Sequence, residues 1–197
     1  MTKSIFSELI SHPTEERYLE FKRSVHWGDA VSAKITKSIL AMTNLRDGGW
    51  IVLGMEEKDD RTFTPVGMSQ SELDSFDPDE IKTFVNGYAD PYVVFSIYKT
   101  EHESKRFILI RVEEFDTVPV ICKRDWGDVL HRGQIYVRSR AKPESVPVPS
   151  QSEMREIVDI AIDKGVKLLF QRISRAGIAL PVPSDIELFD KQLEKLR

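Results

Sequence analysis

The sequence predicts an α+β fold, a mixed or antiparallel sheet with flanking helices followed by a helical C-terminal extension. Three observations carry that expectation. Between residues 18 and 54 a strand pattern, a long helical pattern and a second strand pattern follow one another. Two alternating runs, 93–99 and 106–113, flank a polar loop and read as an antiparallel hairpin. A helical pattern over 153–176 stands beyond a proline-rich stretch.

The elements follow in order. Residues 5–11 suit a short helix, and His12-Pro13-Thr14 a turn. Tyr18 to Ser24 reads as a short strand, with Glu20 and Lys22 on one face and Phe21 on the other. From Ala30 to Asn44 the residues Ala33, Ile35, Ile39, Leu40, Met42 and Thr43 fall near one helical stripe. Asn44 or the Gly48-Gly49 pair ends that helix, because both residue types tolerate positive φ. Trp50 to Gly54 is a buried apolar strand, with Glu56 and Glu57 at its exit. Residues 58–64 form a charged hairpin or loop, and 69–75 a short helical turn. Asp77 is an N-cap with Pro78 at the first helical position, and that helix runs to about Tyr88. Residues 119–123 are extended and 134–140 form another strand. Three prolines and three serines mark 141–152 as a linker or an extended strap. Ser150 or Ser152 then caps the long helix, Gly165 weakens it, and Gly177 is its C′ residue. Pro181-Val182-Pro183 breaks the chain before a short amphipathic helix over 185–197. The expected division is a domain over 1–146 and a helical extension over 147–197.

Composition narrows the function. The chain has 197 residues, with 41% hydrophobic and 30% charged, ordinary values for a soluble globular protein. A net charge of −4 argues against coating nucleic acid by bulk charge but leaves room for a local basic patch. The single cysteine, Cys122, excludes an intramolecular disulfide and suits a reducing compartment. The N-terminus lacks a signal-peptide h-region and no apolar run approaches a membrane span, so a cytoplasmic location with no membrane partner is expected.

Two groups of residues carry chemistry. Glu15, Glu20, Glu56 and Glu57 are hard oxygen donors of the kind divalent cations require, and Lys22 stands beside Glu20 to steady a phosphate. Taken alone the spacing is weak, because Glu and Lys two apart on a strand usually form a solvated face. In the second group, Tyr136, Arg138 and Arg140 share one strand face and suit phosphate contacts with base stacking. They lie in a basic segment, 105–142, that includes Lys123 and Arg124 and holds nine basic residues against five acids. There is no P-loop, no dinucleotide fingerprint and no zinc spacing.

The ordered series L-E-F-K at 19–22, A-M-T-N-L-R-D-G-G-W-I-V-L-G-M-E-E at 41–57, V-G-M at 66–68, A-D-P at 89–91, I-R-V at 110–112 and Y-V-R-S-R at 136–140 resembles the Schlafen-type AlbA-like domain over roughly residues 14–146. The resemblance implies an α+β nucleic-acid-binding fold. In Schlafen members it implies a metal-dependent endoribonuclease acting on transfer and ribosomal RNA. It would place Mg²⁺ or Mn²⁺ on Glu15, Glu20 and Glu56 or Glu57, with Glu15, Glu20, Lys22 and Glu57 catalytic. Tyr136, Arg138, Arg140, Lys123 and Arg124 would then dock the nucleic acid, RNA ahead of DNA. This chain has Glu-Glu where Asp-Asp is more usual, and Met55 where Val is usual. The alternative implied by many bacterial members is a non-catalytic DNA- or RNA-binding module. The C-terminal helices are the candidate surface for a homodimer.

Overall fold

The first strand runs parallel to the second, and everything near the candidate site hangs on that pairing. In the computed structural model, which describes residues 3–177, β1 is Leu19–Lys22 and β2 is Gly49–Leu53. They pair in parallel, with Glu20 opposite Ile51 and Lys22 opposite Leu53. The helix between them, α2 (Asp29–Thr43), supplies the crossover that a parallel pair needs. The hairpin expected over 93–113 forms as β6 (Phe95–His102) and β7 (Lys105–Val112), and β7 pairs antiparallel with β2. The result is a mixed four-stranded sheet ordered β1-β2-β7-β6.

Both faces of this sheet are covered, which explains why β2 and β7 read as near-continuous apolar runs. On one face Ile51, Leu53, Ile108, Ile110 and Val112 join Ile35, Ile39 and Met42 of α2. On the other, Leu19, Phe21, Val52, Phe107 and Leu109 meet Phe6 and Leu9 of α1 (Lys3–Ser11). Strand alternation therefore sends Glu20 to the α2 face, into the larger core.

The turn from α2 to β2 requires glycine. Gly48 has φ +68°, and a Cβ there would stand 2.0 Å from the Val112 carbonyl oxygen. Asn44 does more than end the helix. Its buried amide donates to the carbonyls of Leu40, Val120 and Tyr136 at 2.9–3.1 Å and accepts from Val120 N–H at 2.8 Å. One side chain thus ties α2 to the segment before β8 (Ile121–Cys122) and to β9 (Tyr136–Arg138).

The charged stretch after β2 is a hairpin of β3 (Met55–Glu57) and β4 (Phe63–Pro65). A capping box at Ser69 and Glu72 starts α3 (Gln70–Asp74). Asp77 caps α4 (Pro78–Tyr88) through the N–H groups of Asp79 and Glu80, with proline at the first position. Ala89–Asp90, β5, pairs with β8. The proline-rich stretch is a strap: within it β10 (Ser145–Pro147) pairs with β9. Ser150 then opens α5 (Gln151–Arg175), its hydroxyl accepting from Glu153 N–H.

The chain divides into two compact units, Met1–Ala161 and Ile162–Arg197. The opening turns of α5 belong to the first, where Ile157 and Ile160 are buried in the main core. In the second, α5 exposes Ile162, Val166, Leu169 and Phe170 along one helical stripe. Gly177 has φ +71°, as a C′ glycine does. The break at 181–183 and the helix expected over 185–197 lie outside the described residues. Among the described residues no helix is long and apolar enough to cross a membrane.

Candidate nucleic-acid interface

A buried carboxylate is tolerated only when its charge is answered. Glu20 is 5% exposed, and both of its oxygens are answered. Oε1 accepts from Ser38 Oγ on α2 at 2.8 Å and takes a short contact from Lys22 Nζ. Oε2 accepts from an Arg138 guanidinium nitrogen at 2.8 Å. Arg138 is itself 1% exposed. Its remaining donors reach the Arg17 and Glu16 carbonyls at 3.3 Å. In return Arg17 Nε donates to the Arg138 carbonyl at 3.1 Å. Residues 16–20 and β9 are thereby laced together.

This corrects the docking role expected for Tyr136 and Arg138. Both are buried, so neither projects from the surface as a docking side chain, and Arg138 forms only part of a cleft wall. Asn44 and β10 pull β9 inward, and alternation aims Arg138 at Glu20. The Tyr136 hydroxyl accepts from His131 N–H at 2.8 Å, and Lys37 Nζ stands 5.3 Å over its ring. Of the same group, Arg140 is exposed and paired with Glu156. Lys123 donates to the Asn86 carbonyl at 2.7 Å, and Arg124 is exposed.

Glu15 has a different environment. Its Oε1 accepts from Phe21 N–H at 2.8 Å, and Arg138 stands 3.8 Å from Oε2. Burial, and then the charge of Glu20, push its pKa up to about 7 against the pull of the Phe21 N–H, Arg138 and Lys22. It lines a cleft of about 880 Å³ together with Lys22, Arg23, Lys34, Glu57, Arg61 and Lys142. An adjoining cleft of about 430 Å³ shares Glu15, Lys22 and Lys34 and adds Lys37 and Asp128, with Glu20 and Arg138 in its wall. Glu57, not Glu56, faces the larger cleft. The two alternate on β3, and Glu57 shares the side of Met55, which also lines the cleft.

The donor set expected for a metal can be tested on these contacts. Among the described residues no group of three or more His, Cys, Asp or Glu side chains gathers close enough to hold a cation. Both oxygens of Glu20 are committed to cationic side chains and a hydroxyl, and Glu56 is exposed outside the cleft. The four-glutamate set does not fit a metal as arranged. Of that set Glu15 and Glu57 remain on one cleft, where Glu144 joins them as a third carboxylate.

One participant, Glu153, carries a signal in the sequence that composition alone hides. Glu153 is buried and accepts from Ser139 Oγ at 3.3 Å and Arg140 N–H at 3.1 Å. The Ser150 hydroxyl, then the Arg140 N–H, hold its carboxyl below the usual range. The S-x-x-E spacing at 150–153 is the sequence signature of a capping box and could have found it. Lys34, on a helix, had no signal, and Lys142 had none beyond its place in the basic segment 105–142. Only the fold sets both beside Glu15.

A family model described as Schlafen, AlbA_2 matches residues 15–147. No curated protein matches the sequence. Among solved structures, a crystal structure of a protein from Corynebacterium diphtheriae aligns with a TM-score of 0.48 and 16% identity. That alignment covers 73% of this chain and 25% of the other, so the chain spans a quarter of that protein's length. A solution structure from Nitrosomonas europaea aligns with a TM-score of 0.43 and 22% identity, covering 66% of this chain and 86% of the other. It is the N-terminal domain of a protein described as related to the ATP-dependent DNA helicase RecG.

Proposed function

The chain belongs to the Schlafen, AlbA_2 family, which gives it a nucleic-acid-related function, and on that premise we propose that it is a cytoplasmic module binding the backbone of structured RNA in the cleft beside Glu15. One observation carries this reading. A single large cleft brings together Lys22, Arg23, Lys34, Arg61 and Lys142 around a carboxyl whose pKa lies near neutrality. Those five cations outnumber the carboxyls of Glu15, Glu57 and Glu144, and protonation of Glu15 widens the excess, as a phosphodiester favours. The preference for RNA over DNA rests on the resemblance to Schlafen members.

The test is binding of labelled transfer RNA and duplex DNA over a salt series. Affinity for RNA should fall log-linearly with salt, by a slope of about one per phosphate contact. Absence of salt-dependent binding would sink the proposal.

A second reading is metal-dependent cleavage of that RNA, and Glu15 and Glu57 favour it. Mg²⁺ is commonly held by one or two carboxylates together with substrate phosphates. When bound, Mg²⁺ or Mn²⁺ would polarise the phosphate. Incubation of the RNA with Mg²⁺, with Mn²⁺ and with chelator decides it: cleavage that needs metal and Glu57 supports the enzyme. Self-association through the exposed α5 stripe is a further part of the proposal. Light scattering should then give a dimer mass that Leu169→Glu halves.

A further inference from the structure

The two segments that carry Trp27 and Trp126 also line the clefts. Arg23 and Val25 belong to the larger cleft, and Trp27 follows them. Asp128 and Val129 belong to the smaller, and Trp126 precedes them. The two indoles join an aromatic row with α4. Trp27 lies 5.7 Å from Phe84 and Phe84 5.4 Å from Trp126, both near edge-to-face. Tyr88 stands 5.2 Å from Phe84 and 5.8 Å from Trp126. Phe76, fully buried, backs Trp27 at 5.7 Å.

All four rings stay half-buried, although each has a large apolar area that burial would favour. Three of their four ring pairs pack edge-to-face and the fourth, Phe84–Tyr88, is tilted at 41°, and together these contacts hold them fixed. The flank is cationic. Arg124 is exposed, and its charge is felt at the Tyr88 hydroxyl. Lys123 stands 5.4 Å over the ring of Tyr92, itself 77% exposed. Of the nearby acids, Asp125 accepts from Arg132 N–H at 2.9 Å and Asp128 is exposed. Fixed rings beside cations and next to a backbone-sized cleft are what unpaired bases stack on, whereas a duplex hides its base faces.

We propose that the row Trp27, Phe84, Tyr88 and Trp126 is a stacking platform for unpaired bases of RNA whose backbone enters the adjoining clefts. The inference rests on the RNA-binding reading above and adds the class of RNA, strands with unpaired bases.

The test uses the full chain carrying Trp50→Phe, so that emission comes from Trp27 and Trp126 alone. Three ligands are titrated with matched charge: a single-stranded oligoadenylate of about twelve nucleotides, an abasic strand of the same length, and a blunt RNA duplex. Binding is read by anisotropy of an end label and stacking by tryptophan quenching. The expected result is quenching by oligoadenylate only, with affinity about tenfold above the abasic strand. Trp126→Leu should erase that tenfold preference and leave abasic affinity unchanged, with an unaltered urea midpoint confirming that it folds. Equal affinity for all three ligands without quenching would overturn the platform and leave the RNA-binding reading standing. No binding of any ligand would overturn both.

Discussion

Glu15 and Glu20 stand five residues apart and share Arg138 and Lys22 as neighbours, yet the two carboxyls live in opposite conditions. Glu20 is enclosed by α2 and β9, and each oxygen has a donor. Glu15 keeps one backbone donor, a more distant guanidinium and a cleft in front of it. Its pKa rises because burial and the Glu20 charge outweigh that partial compensation. The pair teaches that a motif glutamate can serve the fold or face the solvent-filled cleft, and the number of its donors tells which.

The largest effect should come from breaking the enclosed pair. Arg138→Leu leaves Glu20 buried without its guanidinium, and the cost should be about 3–5 kcal/mol in urea unfolding. A loss below about 1 kcal/mol would mean that Glu20 finds water and is not a structural anchor. Glu20→Gln keeps an acceptor for Ser38 and should cost less.

The next effect concerns Glu15 and pH. Its folded pKa of about 7 lies above the ordinary value of 4.5. Below pH 4.5 both states are protonated and the contribution to stability is fully present. Between 4.5 and 7 the unfolded chain ionises first, so stability falls as pH rises, by at most about 3 kcal/mol. Glu15→Gln should remove that slope and raise the urea midpoint at pH 8 above that of the parent. An unchanged slope would place Glu15 with ordinary surface carboxyls. The same proton bears on binding: affinity for RNA should rise as pH falls from 8 to 6, and Glu15→Gln should hold it at the low-pH value.

Charge reversal in the cleft should be smaller in stability but visible in binding. Lys34→Glu with Lys142→Glu should lower RNA affinity by about tenfold or more and flatten the salt slope by about two. Preserved affinity would move the interface elsewhere. The smallest effect is expected at Arg140, whose partner Glu156 is also bonded by Arg17 at 2.8 Å. Arg140→Ala should cost less than about 1 kcal/mol and change RNA binding by less than about twofold. A tenfold loss of binding would restore the docking role that its sequence position suggested.

Much of the scaffold was legible because it depends on local chemistry. The Asp77-Pro78 start of α4, the stripe of α2, the alternation in β6 and β7 and the glycine pair before β2 each state a backbone preference within a few residues. The strand expected over 18–24 contracts to Leu19–Lys22, since pairing with β2 spans only those positions. The proline-rich stretch 141–152 suits a linker or an extended strap alike, and β9 decides between them by pairing with β10. Of the site, Glu15, Lys22 and Glu57 are found on one cleft. For Tyr136 and Arg138 alternation tells that they share a face but not that this face meets the core.

The amino-acid order by itself determined the α+β class, the helix and strand starts, the face shared by Glu20 and Lys22, and the family to which residues 15–147 belong. Those are properties of periodicity, capping and motif order, which are written in neighbouring residues. Only the tertiary structure decided that Arg138 turns inward onto Glu20, that Asn44 bolts β9 to α2, and that Lys34 and Lys142 come beside Glu15. Those contacts join residues 19 to 127 positions apart, and the burial that raises the Glu15 pKa exists only once the chain has closed around it.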